Sequence, residues 1–369
     1  MSKVYFCDFN AKFGDDILRK FERLIVAAGI DDIDFEDKFV AIKVHFGEWG
    51  NMAFLRQQYA KVLADHIKER GGKVFLTDAS TLYAGFRGNA VDHLYDAAWN
   101  GYSQAIVGCP VIIADGLRGI DERIIDVEGA KYCKQAKIAA AVAEADVIIS
   151  LTHCKGHENA GFGGTLKNLG MGCGSKHGKM AMHSASIPVV YKKACIGCGN
   201  CVKACANDGI HVIDHKAVID EEHCLGCANC FAYCTKGALS CKWDEAPSVL
   251  SEKIAEYTKA ALNGKPQFHI SIASDIQPNC DCNGGRKTQL VPDVGMFASF
   301  DPISIDQAAA DAINRQPIMP GNPIAEKVHD HDHKDVFHIA HPDTSWESGI
   351  IHGENLGLGE RKYEIITVK

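Results

Sequence analysis

The sequence predicts an α/β fold with a mostly parallel, doubly wound sheet, interrupted by a smaller cysteine-rich α+β module. Strand-like runs that are almost wholly apolar alternate with helical segments, which is typical of a parallel sheet covered on both faces. The same alternation resumes after residues 191–243, and eight cysteines fall inside that short segment. We therefore expect residues 1–190 and 244–369 to form one domain, with 191–243 inserted into it. Three consecutive domains remain the alternative.

Each element of the large domain follows from a local pattern. Five apolar runs predict strands: residues 4–9, 39–46, 73–77, 111–114 and 146–152. Four amphipathic or alanine-rich segments predict helices: residues 15–28, 54–70, 90–100 and 132–144. After the cysteine-rich segment, residues 247–262 and 302–314 predict helices, and residues 268–273 predict a strand between them.

Composition limits the function classes. The 369 residues allow two or three domains, and a net charge of −8 argues against nucleic acid as a partner. No stretch of about 18 apolar residues predicts a membrane span, and the sequence begins without the long apolar run of a signal peptide. We therefore expect a cytoplasmic protein. Its 16 cysteines then point to metal rather than to disulfides, because cytosolic thiols stay reduced.

Half of these cysteines form two equal runs of the pattern Cys-x2-Cys-x2-Cys-x3-Cys. The first run is Cys195, Cys198, Cys201 and Cys205, and the second is Cys224, Cys227, Cys230 and Cys234. Three closely spaced cysteines can wrap one [4Fe–4S] cubane. In two-cluster ferredoxins the fourth cysteine of each run ligates the other cluster. This rule assigns Cys195, Cys198, Cys201 and Cys234 to cluster one, and Cys224, Cys227, Cys230 and Cys205 to cluster two. Two zinc sites of four cysteines each are the alternative.

The segment 191–243 resembles a bacterial two-[4Fe–4S] ferredoxin. It differs in lacking a proline after each fourth cysteine, where Ala206 and Thr235 stand instead. This departure removes no ligand. Such clusters carry out one-electron transfer, so we expect an electron donor or acceptor protein as a partner. Because exposed cubanes and free thiols are oxygen-sensitive, an anaerobe is the expected source.

Polar, ligand-type side chains follow the predicted strands of the large domain. They are His45, Glu48, Asp78, Tyr83, Asp115, His153, Cys154, His157, Asp275, Cys280 and Cys282. In open parallel sheets, ligands bind outside the carboxyl ends of the strands. The sequence therefore predicts a binding site at this edge.

The segment 152–183 is rich in glycine and histidine. Gly161, Gly163 and Gly164 precede a predicted helix start, where backbone N–H groups and the helix dipole could hold an anion. Lys155, Lys167 and Lys179 could supply positive charge to a small anionic ligand there. A glycine-rich surface loop is the alternative.

A third metal site is also predicted near this edge. The candidate ligands are Cys280, Cys282, Cys154 and Cys173, together with His153, His157 and His183. Thiolates and imidazoles suit zinc, iron or nickel. Cys-x-Cys is a tight chelate and does not easily close one disulfide loop. Cys7, Cys109, Cys133 and Cys241 are expected to be buried core residues. A histidine-rich loop, His329, His331 and His333, is a weaker candidate for metal binding.

Several motifs together resemble the uncharacterised iron–sulfur centre proteins grouped under domain of unknown function 362. The matching stretches are residues 44–48, 77–83, 110–116, 155–157, 161–172, 279–282 and 299–306. The resemblance implies an α/β domain interrupted by a two-cluster ferredoxin module, and no settled reaction. A fainter likeness to nickel-pincer lactate racemase would make Lys167 and His183 ligand-facing residues.

Three functions are compatible with these features. In an anaerobic oxidoreductase, the clusters would exchange single electrons with a ligand or metal at the sheet edge. His157, Lys167, His183, Glu48 and Asp115 would then position and protonate a substrate. The second function is a non-catalytic electron-transfer or metal-delivery partner. The third is an α/β binding protein that the clusters only brace. The sequence does not indicate an oligomeric state.

Overall fold

The computed structural model describes residues 1–183, 187–285, 287–322, 324–327 and 335–369. Its main sheet has eight strands: β1 (Ser2–Cys7), β2 (Phe39–Lys43), β3 (Lys73–Asp78), β4 (Val111–Ile113), β7 (Val147–His153), β14 (Gln267–Ala273), β15 (Gly295–Ser299) and β16 (Tyr363–Thr367). They lie in the order β16-β1-β15-β14-β7-β2-β3-β4. Only β15 runs antiparallel to its neighbours β1 and β14. The expected mostly parallel sheet is confirmed.

Helices cover the sheet. Those outside residues 191–243 are α1 (Ile17–Ala27), α2 (Gln57–Lys68), α3 (Ala90–Trp99), α4 (Gln104–Val107), α5 (Ala140–Glu144), α6 (Thr165–Cys173), α7 (Lys176–His183), α10 (Pro247–Leu262), α11 (Pro302–Asn314), α12 (Val336–Ala340) and α13 (Trp346–Asn355), with a 3₁₀ turn at Ile30–Asp32. Both α10 and α11 have the predicted bounds. No helix in the described ranges is long and apolar enough to cross a membrane.

The central strands explain why the sheet is doubly wound. All seven residues of β7 are buried. Ile149 and Leu151 pack into the core on the side of α1 and α2, whereas Ile148 packs into the core on the side of α6 and α10. Because successive side chains of a strand point to opposite faces, a continuous apolar run requires cover on both.

The predicted helix over residues 132–144 is wrong in its first half. Strand β6 (Gln135–Ala139) pairs with β5 (Glu122–Asp126) in an antiparallel hairpin, and α5 begins only at Ala140. Just before β6, the backbone N–H groups of residues 131–133 donate to the Glu256 carboxylate over 2.6–3.0 Å. This tertiary contact takes the donors of the would-be first helical turn, so the alanine-rich segment pairs as a strand.

The cysteine-rich segment has its own small elements. They are β10 (Val189–Val190), α8 (Asn200–Lys203), β11 (Ile210–Ile213), β12 (Lys216–Ile219), α9 (Asn229–Tyr233) and β13 (Leu239–Ser240). Strand β10 pairs with β13, so the two ends of the segment lie side by side. A separate apolar cluster that includes Phe231 and Cys241 fills its interior. A further hairpin, β8 (Lys155–His157) with β9 (Gly161–Gly163), lies at the edge of the main sheet.

Helices α6 and α10 are in close backbone contact at Gly170. A Cβ atom at this position would lie 2.1 Å from the backbone oxygen of Ile254. Backbone atoms cannot move aside as a flexible side chain can, so only glycine fits here.

We predict that Gly170→Ala lowers the free energy of unfolding by about 1–3 kcal/mol, because α10 must move outward. Gly170→Val should cost more. Urea unfolding of both variants measures this. Equal stability of wild type and Gly170→Ala would contradict the packing described here.

Candidate functional site

A cavity of about 480 Å³ lies at the carboxyl edge of the main sheet, beyond the ends of β2, β3 and β7. Many of the side chains expected there line it: His45, Asp78, Tyr83, His153, His157 and Cys282. Lys155, Lys167 and His183 from the glycine-rich segment also contribute to the wall. The parallel strands thus bring residues that are distant in sequence to one pocket.

Asp78 is the buried anion around which one wall is built. Its carboxylate lies 3.0 Å from Lys43 Nζ and 3.4 Å from an Arg87 guanidinium nitrogen. Lys43 also donates to Asn168 Oδ1 over 2.8 Å. Burial by itself would raise the pKa of Asp78, but Lys43 and the other nearby cations hold it well below its usual range. The pocket wall therefore carries a fixed negative charge that neutralises two cations.

Glu48 lies behind this wall and is engaged in structural contacts. Its carboxylate accepts from Arg87 Nε over 3.0 Å and from the Tyr83 hydroxyl over 2.8 Å. Arg87 and Tyr83 are also hydrogen-bonded to each other. These two partners occupy the Glu48 carboxylate, and Glu48 is not among the residues that line the cavity, so its expected catalytic role has no support in this arrangement.

A second buried carboxylate, Asp281, fixes another part of the cavity lining. It accepts from His153 Nδ1 over 2.8 Å and lies 3.5 Å from Lys155 Nζ. Burial would raise the pKa of Asp281, but His153 and Lys155 lower it to about 2. Lys155, expected to bind an anion, is thus already paired with one.

His157, Cys280 and Cys282 come together beside the cavity. Their candidate ligand atoms lie within 4.8 Å of one another, close enough for a single metal ion. Lys167 Nζ lies 3.4 Å from Cys280 Sγ. The hydrogen bond from Cys282, and then the charge of Lys167, lower the pKa of Cys280 well below its usual value, whereas the same hydrogen bond raises the pKa of Cys282.

Lys179 and His183 line the cavity from α7. Lys179 is 7% exposed and donates to the backbone oxygen of Gly174 over 2.5 Å. Burial lowers the pKa of Lys179 to about 8, and that of His183 to about 3. The His183 ring packs edge-on against Trp243, with 4.7 Å between ring centroids.

Asp115 does not reach the cavity. It is fully buried and accepts from the backbone N–H and hydroxyl of Ser80 over 2.9–3.0 Å. Its carboxylate therefore anchors the turn after β3. Asp115 is not among the residues that line the cavity, so it is not placed for the expected catalytic role.

Cys154 and Cys173 also lie apart from the Cys280–Cys282 pair. Both are fully buried in the apolar core under α10, and burial raises the pKa of Cys154 to about 12 and that of Cys173 to about 11. Cys154 follows His153 in an extended chain, so its side chain points to the opposite face from the cavity. The expected four-cysteine metal site is thus reduced to two cysteines and His157.

The expected anion site at Gly161, Gly163 and Gly164 is already filled by a side chain of the protein. The N–H groups of Thr165 and Leu166, at the start of α6, donate to the Asp306 carboxylate over 2.6 and 2.9 Å. A Cβ at residue 164 would lie 2.5 Å from that carboxylate. The glycines thus admit Asp306 rather than a ligand.

Sequence reasoning missed four of these buried charges: Lys43, Arg87, Asp281 and Asp306. Lys43 could have been noticed as a charge ending an otherwise apolar strand. Asp281 could have been noticed as a charge between two candidate metal ligands, Cys280 and Cys282. The histidine-rich run at 329–333 lies outside the described residues. Nearby, His341 Nε2 donates to the Pro278 backbone oxygen over 2.8 Å.

In the cysteine-rich segment, Cys234 lies with the first run of cysteines. Cys195, Cys198, Cys201 and Cys234 line one small cavity. The thiol sulfurs of Cys195 and Cys234 accept backbone N–H groups over 3.2 and 3.3 Å. Cys205 lies instead toward the second run. It accepts from the N–H of Gly209, and a Cβ at Gly209 would lie 2.7 Å from the backbone of Cys224.

The cysteine-rich segment packs against the cavity wall. Leu82 lines the cavity and also belongs to the apolar cluster that contains Cys195 and Cys201. Trp243, at the end of the segment, lines the cavity as well. Leu82 therefore belongs both to the cavity lining and to the apolar cluster of the cysteine-rich segment.

We predict that Asp306→Ala lowers the free energy of unfolding by roughly 2–4 kcal/mol, because two buried N–H groups lose their acceptor. Asp306→Asn keeps an acceptor and should cost much less.

Burial raises the pKa of Asp306 from 3.8 to about 6, so the folded state holds this proton more tightly than the unfolded chain does. The stability of the wild type should therefore fall as the pH rises through that window, and Asp306→Asn should lack this slope. Denaturant unfolding of the wild type and both variants at pH 4 and pH 7 measures these free energies. An Asp306→Ala variant as stable as the wild type would contradict the capping of α6 by Asp306.

Comparison with known proteins gives one family and several partial structural likenesses, including the following two. No curated protein matches the chain. The lactate racemase apoprotein from Thermoanaerobacterium thermosaccharolyticum is 12% identical, with a TM-score of 0.40 over 74% of this chain and 50% of that one. A Thermotoga maritima protein from a structural genomics consortium is 12% identical, with a TM-score of 0.38 over 69% and 50%. The chain thus spans half the length of both. The family model "Domain of unknown function (DUF362)" matches residues 40–311, and the chain belongs to this family.

Proposed function

We propose that this protein carries two [4Fe–4S] clusters in an inserted ferredoxin-like module, residues 191–243, and transfers single electrons between a partner protein and a ligand in the cavity. The observation that carries the proposal is the position of Cys234 beside Cys195, Cys198 and Cys201. A fourth ligand taken from the other run is the arrangement of two-cluster ferredoxins.

Local hydrogen bonding supports both cubanes. N–H groups donating to cysteine sulfurs, as at Cys195, Cys205 and Cys234, stabilise the negative charge of a cluster and tune its potential. Asn229, at the start of α9, donates to the backbone oxygen of Ala204 over 2.6 Å and ties the two runs together. The two halves of the module therefore support each other's fourth ligand.

The spacing of the sulfurs supports cubanes over zinc. Four thiolates around one zinc ion lie about 3.8 Å apart, the edge of a tetrahedron with Zn–S bonds of about 2.3 Å. Among the described residues, the group of three or more ligand atoms within 4.8 Å of one another is His157, Cys280 and Cys282, and it includes none of the eight module cysteines. A cubane holds its thiolates further apart because four irons stand between them.

The position of the module supports electron transfer into the cavity. Cys198 and Cys227 are exposed, so a partner protein can approach either cluster from solvent. On the inner side, Leu82 and Met180 join the apolar cluster around Cys195 and Cys201. Electrons would thus enter at the surface and leave at the cavity wall.

The cavity suits a small anionic ligand. Lys43, Arg87 and Lys155 are each neutralised by a buried carboxylate. Lys167 contacts a thiol, and Lys179 contacts a backbone oxygen. Two cations therefore face the cavity without a carboxylate contact among the described residues, and a ligand anion would lie between them. His157 and His183, on the same wall, could exchange protons with it.

We predict that anaerobically purified protein contains about eight iron atoms and eight sulfides per chain. Cys234→Ser should perturb the electron paramagnetic resonance signal of one reduced cluster and leave the other unchanged. Cys241→Ser is the matched control, because Cys241 is buried in the same module and is not a proposed ligand. About four irons in the wild type, or zinc in their place, would contradict the proposal. Clusters that resist reduction at low potential would make them structural.

A further inference from the structure

The Cys280–Asp281–Cys282 turn is not used by either cluster, yet it faces the same cavity. We propose that Cys280 and Cys282 are a redox-active dithiol, which forms and breaks an internal disulfide and so holds an electron pair between the clusters and the cavity. This inference rests on the proposed function for the source of the electrons. The electron acceptor at the cavity wall is then this cysteine pair, which is part of the protein itself.

The backbone brings the two cysteines within bonding range. The N–H of Asn283 donates to the backbone oxygen of Cys280 over 2.9 Å, which closes a tight turn over residues 280–283. The first and third Cα atoms of such a turn lie about 5.5 Å apart, inside the range of about 4.4–6.8 Å that a disulfide spans. The Sγ atoms already lie within 4.8 Å of each other. The Cys-x-Cys spacing does not easily close a disulfide loop, but this turn brings the two sulfurs close enough for the bond.

The turn is held in place from both sides. Asp281 is fully buried and fixed by His153 and Lys155. On its other flank, Gly156 packs closely against Pro278. A Cβ atom at residue 156 would lie 2.1 Å from the backbone oxygen of Pro278. The cysteine pair therefore sits on a firmly held turn that keeps the two sulfurs close together.

The surroundings favour one thiolate and one thiol. Cys280 Sγ receives Lys167 Nζ at 3.4 Å and the N–H of Cys282 at 3.4 Å. A neighbouring ammonium and N–H donors stabilise a thiolate, which is the form that takes part in thiol–disulfide exchange. Cys282 lines the cavity, so one sulfur of the pair is open to small reagents.

The contacts of His157 favour a dithiol over a metal ion. Its Nδ1 accepts from the N–H groups of residues 159 and 160 over 3.1 and 3.0 Å. A neutral ring with Nδ1 as acceptor carries its proton on Nε2, which then has no lone pair for a metal. Metal-binding histidines instead donate their second ring N–H to an acceptor. Lys167 adds a positive charge where a metal ion would have to bind.

The electrons and protons balance when the two proposed clusters act as the reductant. Two reduced clusters give one electron each, the sulfur–sulfur bond breaks, and Cys282 takes one proton that reaches it through the cavity. Cys280 remains a thiolate beside Lys167. The reverse step, in which the dithiol loses two electrons and one proton, restores the disulfide. A centre that holds two electrons, placed between one-electron clusters and a ligand, can collect electrons one at a time and deliver them as a pair.

The test is an anaerobic reductive titration of the whole protein after mild oxidation with diamide. The wild type should take up about four electrons, one for each cluster and two for the disulfide. Cys280→Ser and Cys282→Ser should each take up about two and keep their iron. Cys154→Ser, a buried cysteine away from the pair, is the control and should match the wild type.

Thiol labelling separates this inference from the proposed function. After oxidation, Cys280 and Cys282 should resist alkylation and become reactive again on reduction, whether or not the protein holds iron. Free alkylation of both cysteines after oxidation would overturn the dithiol even in a protein with both clusters intact. A stoichiometric non-iron metal that is lost in Cys282→Ser would overturn it in favour of a metal site.

Discussion

The cavity depends on the pairing of buried charges at the carboxyl edge of the sheet. Asp78 holds Lys43 and Arg87, and Asp281 holds His153 and Lys155. Removing one partner of such a pair typically costs about 3–5 kcal/mol, because the other charge stays buried without compensation. Two carboxylates thus let a pocket with many basic side chains exist inside an apolar domain.

The same charges position the cysteine-rich segment. Arg87 ties the loop after β3 to Asp78 and Glu48, and this loop carries Leu82. Next to Leu82, Ala84 packs against the segment so closely that a Cβ at Gly237 would lie 2.4 Å from the Ala84 side chain. The buried ion pairs of Arg87 therefore hold a loop that contributes both to the cavity lining and to the surface against which the segment packs. This explains how a proposed electron source and a proposed ligand site can share one boundary.

Much of the fold follows from local pattern, whereas the chemistry of the site depends on contacts distant in sequence. The apolar runs of β2, β3, β7 and β14, and helices α10 and α11, were predictable because their periodicity is not opposed by neighbours. The segment 132–144 was not, since Glu256 from α10 takes its first backbone donors. Several of the polar residues at strand ends line the cavity. The pattern could not show that Asp306 fills the expected anion site, or that Asp115 and Cys154 point elsewhere.

We propose two cubanes in residues 191–243, one of them near the cavity wall. The most direct measurement is a crystal structure of anaerobically purified protein with anomalous scattering recorded at the iron edge. We expect two iron clusters, with Cys234 and Cys195 on the same cluster and that cluster facing Leu82. Zinc at these cysteines, or Cys205 and Cys195 on one cluster, would contradict it.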